Sequence, residues 1–330
     1  MIKVLITGGA GFIGFHLARK CVNEGLRVDI LDNFSRAVKD RELDSLLNET
    51  NVRFISCDLA SQDEIIRIDT DYQVIFHLAA IIGVQHVLNK PYDVLTKNIE
   101  MLSHVIEVSR KQVSLSRLLY MSTSEVYAGT LRYFELLFPT AEDTPLAITD
   151  MAEARTSYML SKIYGEAMCQ HSKLPYTIIR PHNVYGPRMG MSHVIPELLK
   201  RALETEEGGS LTVYSVSHRR TFCYIDDAVE LLYRIVQNVN CKDVTLNLGS
   251  QGPEVSIGEL AQVILETIGK DLPVESGPVT SGSPPRRAPD MSRALELTGF
   301  QTKVGLQEGV ARTFRWYNEN VFQTGGITAK

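Results

Sequence analysis

The 330-residue chain has little of what marks a secreted, metal-binding or membrane protein. Its five cysteines are scattered and form no C-x-x-C pair, so we expect reduced thiols in a cytoplasmic protein rather than disulfides or a zinc site. The histidines show no metal-ligand spacing. No apolar run reaches about 18 residues, and the chain enters a strand at once, so neither a membrane span nor a secretory signal is expected. A net charge of −5 without a basic stripe argues against a nucleic-acid partner.

The composition is that of an ordinary globular protein. Hydrophobic residues make up 44% of the chain and charged residues 22%. The length exceeds a typical single domain of about 100–150 residues, which predicts two lobes.

The first fourteen residues are the most informative segment. A β-branched apolar run, Met1–Thr7, is followed by Gly8-Gly-Ala-Gly11-Phe-Ile-Gly14 and then by a helical pattern. Gly8 allows a tight turn, Gly11 lets the backbone approach phosphates, and Gly14 lets the helix pack close to the strand. The helix N-terminus offers free N–H groups to an anion. Strand, turn and helix in this order predict a cradle for a dinucleotide pyrophosphate.

A carboxylate ends the second predicted strand. Asp32 closes the run Arg27–Asp32, 24 residues after Gly8, where an acid binds the adenosine ribose. A carboxylate there accepts hydrogen bonds from both ribose hydroxyls and repels a 2′-phosphate, which predicts NAD rather than NADP. The nearby Arg36 leaves NADP open, and a plain strand-end turn is the alternative interpretation of Asp32.

Strand and helix signals alternate through the first half of the chain. The fold predicted is α/β: a Rossmann-type doubly wound parallel sheet with a smaller C-terminal α/β substrate lobe. We expect residues 1–175, with return segments near 221–248, to form the NAD-binding domain, and residues 176–330 to form an interleaved substrate-binding lobe. The further predicted strands are Val52–Cys57, Gln73–Leu78, Arg117–Ser122, Tyr176–Arg180, Leu211–Tyr214, Phe222–Ile225 and Val244–Leu248.

Two helices are expected near 93–111 and 157–172. Two more are expected to begin at a cap at Asp226 and at a capping box at Ser256–Glu259. The Pro-, Gly- and Ser-rich stretch from Ser276 to Pro289 is expected to be loop.

Three elements form a catalytic constellation. Tyr158 and Lys162 are four residues apart, so a helix presents them on one face. An ammonium beside the phenol favours phenolate, as does a nearby nicotinamide cation, and together they predict a lowered tyrosine pKa. Thr123 follows a predicted strand, at the edge of the sheet where ligands bind, and its hydroxyl could bond the oxygen that Tyr158 deprotonates. The glycine-rich turn is the third element.

Together these elements resemble the extended short-chain dehydrogenase/reductase family, which includes NAD-dependent nucleotide-sugar epimerases, dehydratases and decarboxylases. The resemblance covers nearly the whole chain. The matching segments are Thr7–Gly14, Asp32, Asp58, His77–Ala80, Asn98, Thr123, Tyr158, Lys162, Arg180–Arg188 and Arg220–Asp227.

The resemblance implies roles for these positions. Thr123, Glu125, Tyr158 and Lys162 are the expected catalytic residues. The expected NAD contacts are Gly8, Gly11, Phe12, Ile13, Gly14, Asp32, Asn33, Asp58, Leu59, Leu78, Ala79, Ala80, Asn98, Tyr158 and Lys162. The expected contacts to the nucleotide-sugar substrate are Ser124, Asn183, Arg188, Arg220, Arg286 and Arg287. The family also implies a homodimer joined through a four-helix bundle.

The resemblance further implies a reaction through a transient 4-keto sugar, from which epimerisation, dehydration and decarboxylation all diverge. Glu125 is typical of dehydratases and decarboxylases, and the 285–290 segment resembles decarboxylases, with Arg287 placed to meet a C6 carboxylate. Many dehydratases carry Asp where this chain has Ser124. The alternatives are a 4-epimerase, a net 4-oxidase or reductase, and a non-catalytic NAD-binding sensor.

Two features depart from the family pattern. Ala128 replaces a glycine usual after Val-Tyr, and the stretch from Tyr127 to Tyr158 is about ten residues longer than in typical epimerases. The insertion, residues 128–150, should overhang the sugar or form a dimer or lid contact. His77 is interpreted as a packed residue, and His182 as a packed residue that could instead touch the sugar.

Overall fold

The computed structural model describes residues 2–280 and 282–323. The strands are β1 (Lys3–Thr7), β2 (Arg27–Asp32), β3 (Val52–Ser56), β4 (Val74–His77), β5 (Arg117–Met121), β6 (Tyr176–Pro181), β7 (Val184–Tyr185), β8 (Leu211–Val213), β9 (Arg219–Arg220), β10 (Cys223–Tyr224), β11 (Val244–Leu248), β12 (Val255–Ser256), β13 (Val274–Ser276) and β14 (Arg286–Arg287).

The α-helices are α1 (Phe12–Asn23), α2 (Arg41–Leu47), α3 (Gln62–Ile65), α4 (Val84–Asn89), α5 (Pro91–Arg110), α6 (Ala128–Tyr133), α7 (Ala154–His171), α8 (Val194–Glu204), α9 (Ile225–Gln237), α10 (Ile257–Ile268), α11 (Ser292–Thr298) and α12 (Leu306–Tyr317). Short 3₁₀ turns cover Ser124–Tyr127 and Val239–Cys241, and a π-helical turn covers Asn318–Phe322.

A seven-stranded sheet has the order β11-β6-β5-β4-β1-β2-β3, and every neighbouring pair is parallel. The order reverses between β1 and β4, which opens a crevice at the carboxyl ends of the strands. The predicted Rossmann-type architecture is confirmed. Strand β11 lies within the predicted return segment near 221–248, and β6 begins directly after the predicted boundary at residue 175 yet joins the same sheet. The division into two domains stays a prediction.

Both faces of the sheet are covered, as the apolar strand sequences require. Successive residues of a strand point to opposite faces, so Val4 and Ile6 pack with α1, whereas Leu5 packs with α5 residues such as Leu102. The core on the α1 side continues without a break into the second lobe, where it includes residues of α8, α9, α10 and α12. The two lobes therefore share one core, which fixes the second lobe over the crevice.

The second lobe contains short sheets that hold the substrate-side residues. Strand β9 pairs with β12 and, in parallel, with β14, which sets Arg286 opposite Arg219 and Arg287 opposite Arg220. The expectation that residues 276–289 are entirely loop is therefore wrong. Pairing with β9 supplies the order that the local sequence does not.

Two helix starts can be compared with the sequence. The capping box is present: the Ser256 side chain accepts from the Glu259 N–H while Glu259 accepts from the Ser256 N–H. The other helix begins at Ile225 with Tyr224 at the N-cap, so the predicted cap at Asp226 is wrong. Among the residues that the structure describes, no helix is long and apolar enough to cross a membrane. All five cysteines are buried and free.

Candidate active site

The glycine-rich turn forms a tight cradle against the end of β4. Gly8 has φ +68, and a Cβ built on it would lie 2.8 Å from the Ala79 backbone nitrogen. A Cβ on Gly14 would lie 2.3 Å from the Gly8 carbonyl oxygen. Helix α1 begins here with no side-chain cap at Gly11 and no acidic residue in its first turn. The first N–H groups of α1, at Phe12 and Ile13, therefore remain available to an anion, and the cradle fits a pyrophosphate.

Substitution of Gly14 by alanine is expected to abolish detectable NAD binding and to destabilise the fold by about 2 kcal/mol or more, because its methyl group would overlap backbone atoms that cannot move aside. The matched control is Gly305→Ala, at the N-cap of α12, where a Cβ meets nothing within 4 Å. Titration with NAD and a urea unfolding curve measure both effects. Tight NAD binding by the Gly14→Ala protein would contradict the assignment of the cradle.

Asp32 lies at the end of β2, beside this cradle. Its carboxylate accepts hydrogen bonds from the Phe34 N–H at 2.8 Å and the Ala10 N–H at 3.2 Å. Burial raises the pKa of Asp32, and the N–H donors partly offset that effect. The carboxylate is thus held rigidly where an adenosine ribose would lie, as an NAD site requires. The next side chain, Asn33, accepts from the Ser35 N–H at 3.0 Å.

Of the remaining positions predicted to contact NAD, the segment after β4 lies next to the cradle. The Leu78 N–H donates to the Thr7 carbonyl at 3.1 Å, which ties the start of the Leu78–Ala80 segment to β1. The Asn98 side chain bonds both the N–H and the carbonyl of Ile81, at 2.7 and 3.1 Å. Asn98 is therefore fully engaged with the protein and fixes this wall of the crevice. The roles of Asp58 and Leu59 in adenine binding stay predictions.

The side chains of the predicted catalytic constellation lie close together. Tyr158 and Lys162 lie one turn apart on α7, and the Lys162 Nζ is 5.8 Å from the centre of the Tyr158 ring. Lys162 is only 4% exposed and donates to the Met121 carbonyl at 2.8 Å. Thr123 bonds the Tyr158 hydroxyl, and its own oxygen accepts from the Glu125 N–H at 3.2 Å. Phenol, amine and threonine hydroxyl therefore lie around one point at the end of β5.

The protonation states differ from the expectation. Burial raises the pKa of Tyr158, and the nearby Glu125 carboxylate raises it further. The Thr123 hydrogen bond and the charges of Arg36 and Arg287 oppose this rise. In the protein without NAD the Tyr158 pKa is therefore raised; the predicted lowering, which combines Lys162 with a nicotinamide cation, stays a prediction. Burial also lowers the pKa of Lys162, to about 8, which makes it a weaker electrostatic partner.

Arg36 occupies a place that sequence reasoning missed. It was considered only as a possible ligand for a 2′-phosphate, but its Nη2 lies 3.7 Å from the point where a Cβ on Gly83 would be. Its charge lowers the pKa values of Tyr158 and His193. The guanidinium therefore faces the catalytic side of the crevice. No signal in the local sequence indicates this direction.

Glu125 and Arg287 join the two lobes across the site. The carboxylate of Glu125 forms an ion pair with Arg287, and the two side chains are 25% and 20% exposed. Burial works to raise the pKa of Glu125, but Arg287, together with Arg155 and Arg220, lowers it overall. Glu125 is therefore ionised beside the Tyr158 hydroxyl.

The two adjacent arginines of β14 have different partners. Arg286 turns to Glu254, 2.9 Å away, and its guanidinium stacks 4.7 Å from the Phe138 ring. Arg287 alone reaches Glu125. Of the two arginines, Arg287 is therefore the one that lies on the side of the catalytic tyrosine.

Arg220 is a buried, positively charged residue of the second lobe. It is 7% exposed, and its recorded hydrogen bonds go to neutral acceptors, the carbonyls of Arg219 and Pro284 and the Ser283 hydroxyl. Burial and the neighbouring charge of Arg287 lower the pKa of Arg220 to about 10. Two guanidinium groups close together favour a bound anion such as a diphosphate.

The other residues predicted to contact substrate do not all lie at the site. Ser124 is buried next to Glu125, and its contact with substrate stays a prediction. Asn183 adopts φ +42 and donates to the Thr221 carbonyl at 3.0 Å. Arg188 does not join this group. Its guanidinium pairs with Asp40 and lies 4.1 Å from the Phe15 ring, so it joins the second lobe to α1, and packing accounts for it without substrate.

Behind the site lies a buried ion pair that the sequence analysis also missed. Glu166 accepts from Arg180 at 2.7 and 2.9 Å and from the Ser122 hydroxyl at 2.5 Å. Glu166 lies one turn after Lys162 on α7, so helical spacing was a usable signal. The pair anchors α7 to the ends of β5 and β6 and thereby positions Tyr158. His77 is a packed residue, as interpreted, and bonds Thr7 at 2.8 Å.

Comparison with known proteins agrees with this geometry. The model of the NAD-dependent epimerase/dehydratase family matches residues 4–249. UDP-N-acetyl-alpha-D-glucosaminuronate decarboxylase of Bacillus cytotoxicus is 31% identical, over 96% of this chain and 98% of that protein. UDP-glucuronic acid decarboxylase 4 of Arabidopsis thaliana is 29% identical, over 98% of this chain and 70% of that protein. The crystal structure of UDP-glucuronic acid 4-epimerase from Bacillus cereus, in complex with UDP-glucuronic acid and NAD, is 25% identical with a TM-score of 0.82, over 96% of this chain and 99% of that one.

Proposed function

The chain belongs to the NAD-dependent epimerase/dehydratase family, so NAD is its cofactor, and we propose that it decarboxylates a nucleotide-activated uronic acid through a 4-keto intermediate. The observation that carries the proposal is the reach of Arg287 from the second lobe to Glu125, beside Tyr158. A guanidinium at that point suits a substrate with a carboxylate at C6. The names of the two relatives, both decarboxylases of UDP-linked uronic acids, support the same reaction.

The substrate would be held at two anionic groups. Arg220, with Asn183 nearby, is proposed to bind the diphosphate, because its buried charge lacks an acidic hydrogen-bond partner among the described residues. Arg287 is proposed to bind and orient the C6 carboxylate with a guanidinium that also pairs with Glu125. Since Arg220 and Arg287 lie opposite each other in the register of β9 and β14, one short sheet sets the spacing between the two groups.

The first step is an oxidation at C4. Tyr158 accepts the proton of the C4 hydroxyl, and Thr123 donates a hydrogen bond to the phenolate oxygen. NAD⁺ held by the glycine-rich cradle and Asp32 would supply a reversible hydride acceptor for C4 and a positive charge that favours the phenolate. The Lys162 amine donates to the Met121 carbonyl and is thereby held on the same face of α7 as the Tyr158 phenol.

The second step is loss of carbon dioxide. A 4-keto uronic acid is a β-keto acid, so when the C5–C6 bond breaks its electron pair passes to C5 and onto the C4 oxygen, and CO₂ leaves. A proton from solvent then adds to C5, which restores the C4 ketone for the return of the hydride. The protonated Tyr158 hydroxyl lies where it can donate a hydrogen bond to that oxygen. Glu125 stays ionised and orients Arg287. Ser124, rather than an acid, stands next to Glu125, so the site has no group there to expel a C6 hydroxyl as water.

The assembly is proposed to be a cytoplasmic homodimer. Helices α5 and α7 pack against each other, and each presents an exposed tyrosine: Tyr92 is 76% and Tyr164 53% exposed. A second copy could cover this pair to give a four-helix bundle. The five buried, unpaired cysteines support a reducing compartment.

Incubation of the purified protein with NAD⁺ and a panel of nucleotide sugars tests the reaction. Only the uronic acids are expected to react, with loss of the mass of CO₂ and no net accumulation of NADH. Loss of the mass of water from a neutral sugar would replace the proposal by a 4,6-dehydratase. Unchanged mass with altered NMR couplings would indicate a 4-epimerase, and steady NADH accumulation an oxidase. The absence of any reaction would favour a sensor.

A further inference from the structure

Arg36 reaches across the cofactor crevice from one side to the other. The residue follows β2, which lies on one side of β1 in the sheet, whereas β4 lies on the other side. The Nη2 of Arg36 nevertheless lies 3.7 Å from the point where a Cβ on Gly83 would be, in the loop after β4. Neighbouring strands are about 4.8 Å apart, so the chain from β2 to this guanidinium passes over the end of β1. That end of β1 carries the glycine-rich cradle.

The chain on both sides of Arg36 is anchored, so the fold sets the direction of its side chain. Phe34 adopts φ +56, and its ring packs against Phe54 of β3 at 5.0 Å between ring centres. Ala37 packs against the core on the α1 side. Asp40 caps α2 and forms an ion pair with the second lobe.

The guanidinium of Arg36 has no acidic partner among the residues that the structure describes. Partial burial lowers its pKa, and the one ionisable group there that opposes this effect is the Tyr158 phenol, not a carboxylate. The arginines Arg188 and Arg287, by contrast, are each paired with a carboxylate. Part of the Arg36 side chain is exposed, so its charge is available to a ligand in the crevice.

The cradle lacks the charge that Arg36 carries. A diphosphate has two negative charges, whereas the N-terminus of α1 offers N–H groups and a dipole of about half a charge. The first turn of α1, Phe12–Phe15, contains no cationic side chain. A dinucleotide that extends from Asp32 toward Tyr158 would have its diphosphate in the stretch that Arg36 crosses. Guanidinium binds phosphate oxygens with paired, charge-assisted hydrogen bonds.

We propose that Arg36 completes the cradle: its guanidinium binds the diphosphate of NAD from across the crevice and slows release of the cofactor. The inference depends on NAD as the cofactor and not on decarboxylation. Its head group lies on the β4 side of the cradle, away from the ribose site at Asp32, so it is not a ligand for the 2′-phosphate of NADP. Slow release suits any reaction in which the hydride returns to the sugar from the same nicotinamide.

A chase experiment measures the release directly. Protein loaded with radiolabelled NAD is mixed with excess unlabelled NAD, and the label that remains bound is followed over time. Arg36→Gln is expected to release NAD about tenfold faster or more, because one charge-assisted contact is lost. Arg36→Lys keeps the charge without the planar fork, and its release rate is expected to lie between those of Arg36→Gln and the wild type. Unchanged release by Arg36→Gln would overturn the inference.

Lys39→Gln is the matched control, because it removes one positive charge from the same segment. The Lys39 ammonium lies 4.6 Å from the centre of the Phe34 ring, and that ring packs on β3, on the other side of β2 from the cradle. The rate of NAD release is expected to stay within about twofold of the wild type. Equal acceleration in Lys39→Gln and Arg36→Gln would assign the effect to net charge and contradict a direct contact.

Affinities for four ligands, measured by calorimetry, locate the contact. NAD and ADP-ribose contain the diphosphate, adenosine lacks it, and NADP adds a 2′-phosphate. Arg36→Gln is expected to weaken NAD and ADP-ribose equally, by about tenfold, and to leave the affinity for adenosine unchanged.

Three other patterns would each overturn the inference. Equal weakening of adenosine and NAD would mean that the variant only disturbs the segment after Asp32. A larger loss for NADP than for NAD would make Arg36 a ligand of the 2′-phosphate. Weaker binding of UDP-glucuronate with unchanged binding of NAD would make it a ligand of the substrate.

Discussion

Replacement of Tyr158 by phenylalanine is expected to lower kcat about 10³-fold, with little change in the affinity for NAD or for the nucleotide sugar. Removal of a positioned general base costs about 10²–10⁴-fold, and Tyr158 is the group that both Thr123 and Glu125 face. The ring itself is retained in the variant, so the packing of α7 should survive. The loss should therefore appear in kcat and not in KM.

The matched control for this experiment lies on the same helix. Tyr164→Phe removes a phenol that is 53% exposed, on the face of α7 proposed to meet the second copy, and it keeps the ring, so wild-type turnover is expected. Steady-state kinetics with NAD titrations on both variants give the comparison. Turnover by Tyr158→Phe within a few-fold of the wild type would remove Tyr158 as the base and with it the proposed first step.

The parts of the site that the sequence predicted follow from local rules. Thr123 and Asp32 lie where parallel strands end, and such ends meet at one edge of a sheet. Tyr158 and Lys162 share a helix face because of the 3.6-residue repeat. The cradle needs glycine, which leaves a direct mark on the sequence at Gly8 and Gly14.

The parts that the sequence did not predict depend on distant pairing. Strand β14 is two residues long, and its register with β9 decides the direction of each arginine. Arg287 pairs with Glu125, whereas Arg286 pairs with Glu254. Arg188 was assigned to substrate by resemblance, but the partner that defines it, Asp40, lies 148 positions away in the chain.

The protonation of Tyr158 could not be predicted from spacing either. Spacing gives the distance to Lys162 but not the depth of burial, and burial is the largest cause of the raised tyrosine pKa. The same burial lowers the pKa of Lys162 to about 8 and so weakens the expected stabilisation of the phenolate. A motif therefore identifies the reacting groups, whereas the surrounding protein decides their charges.

Substitution of Glu125 by glutamine is expected to slow CO₂ release about 10²-fold while hydride transfer continues. The side chain keeps its shape and loses its charge, so Arg287 would no longer share its guanidinium with a protein carboxylate. Arg287 would then bind the C6 carboxylate of the substrate more strongly. Stronger binding of the charged ground state opposes loss of that charge as neutral CO₂, so kcat should fall while KM does not rise.

The matched control is Glu254→Gln, which breaks the ion pair of the neighbouring Arg286 and should change kcat less than about threefold.

In single-turnover experiments the Glu125→Gln protein should show NADH absorbance that rises and persists, because the 4-keto intermediate forms normally and decarboxylates slowly. Removal of the nearby negative charge also lowers the pKa of Tyr158, which favours this first step. CO₂ release by Glu125→Gln at the wild-type rate would mean that Arg287 does not depend on Glu125, and a loss of the NADH signal would place Glu125 in the oxidation step instead.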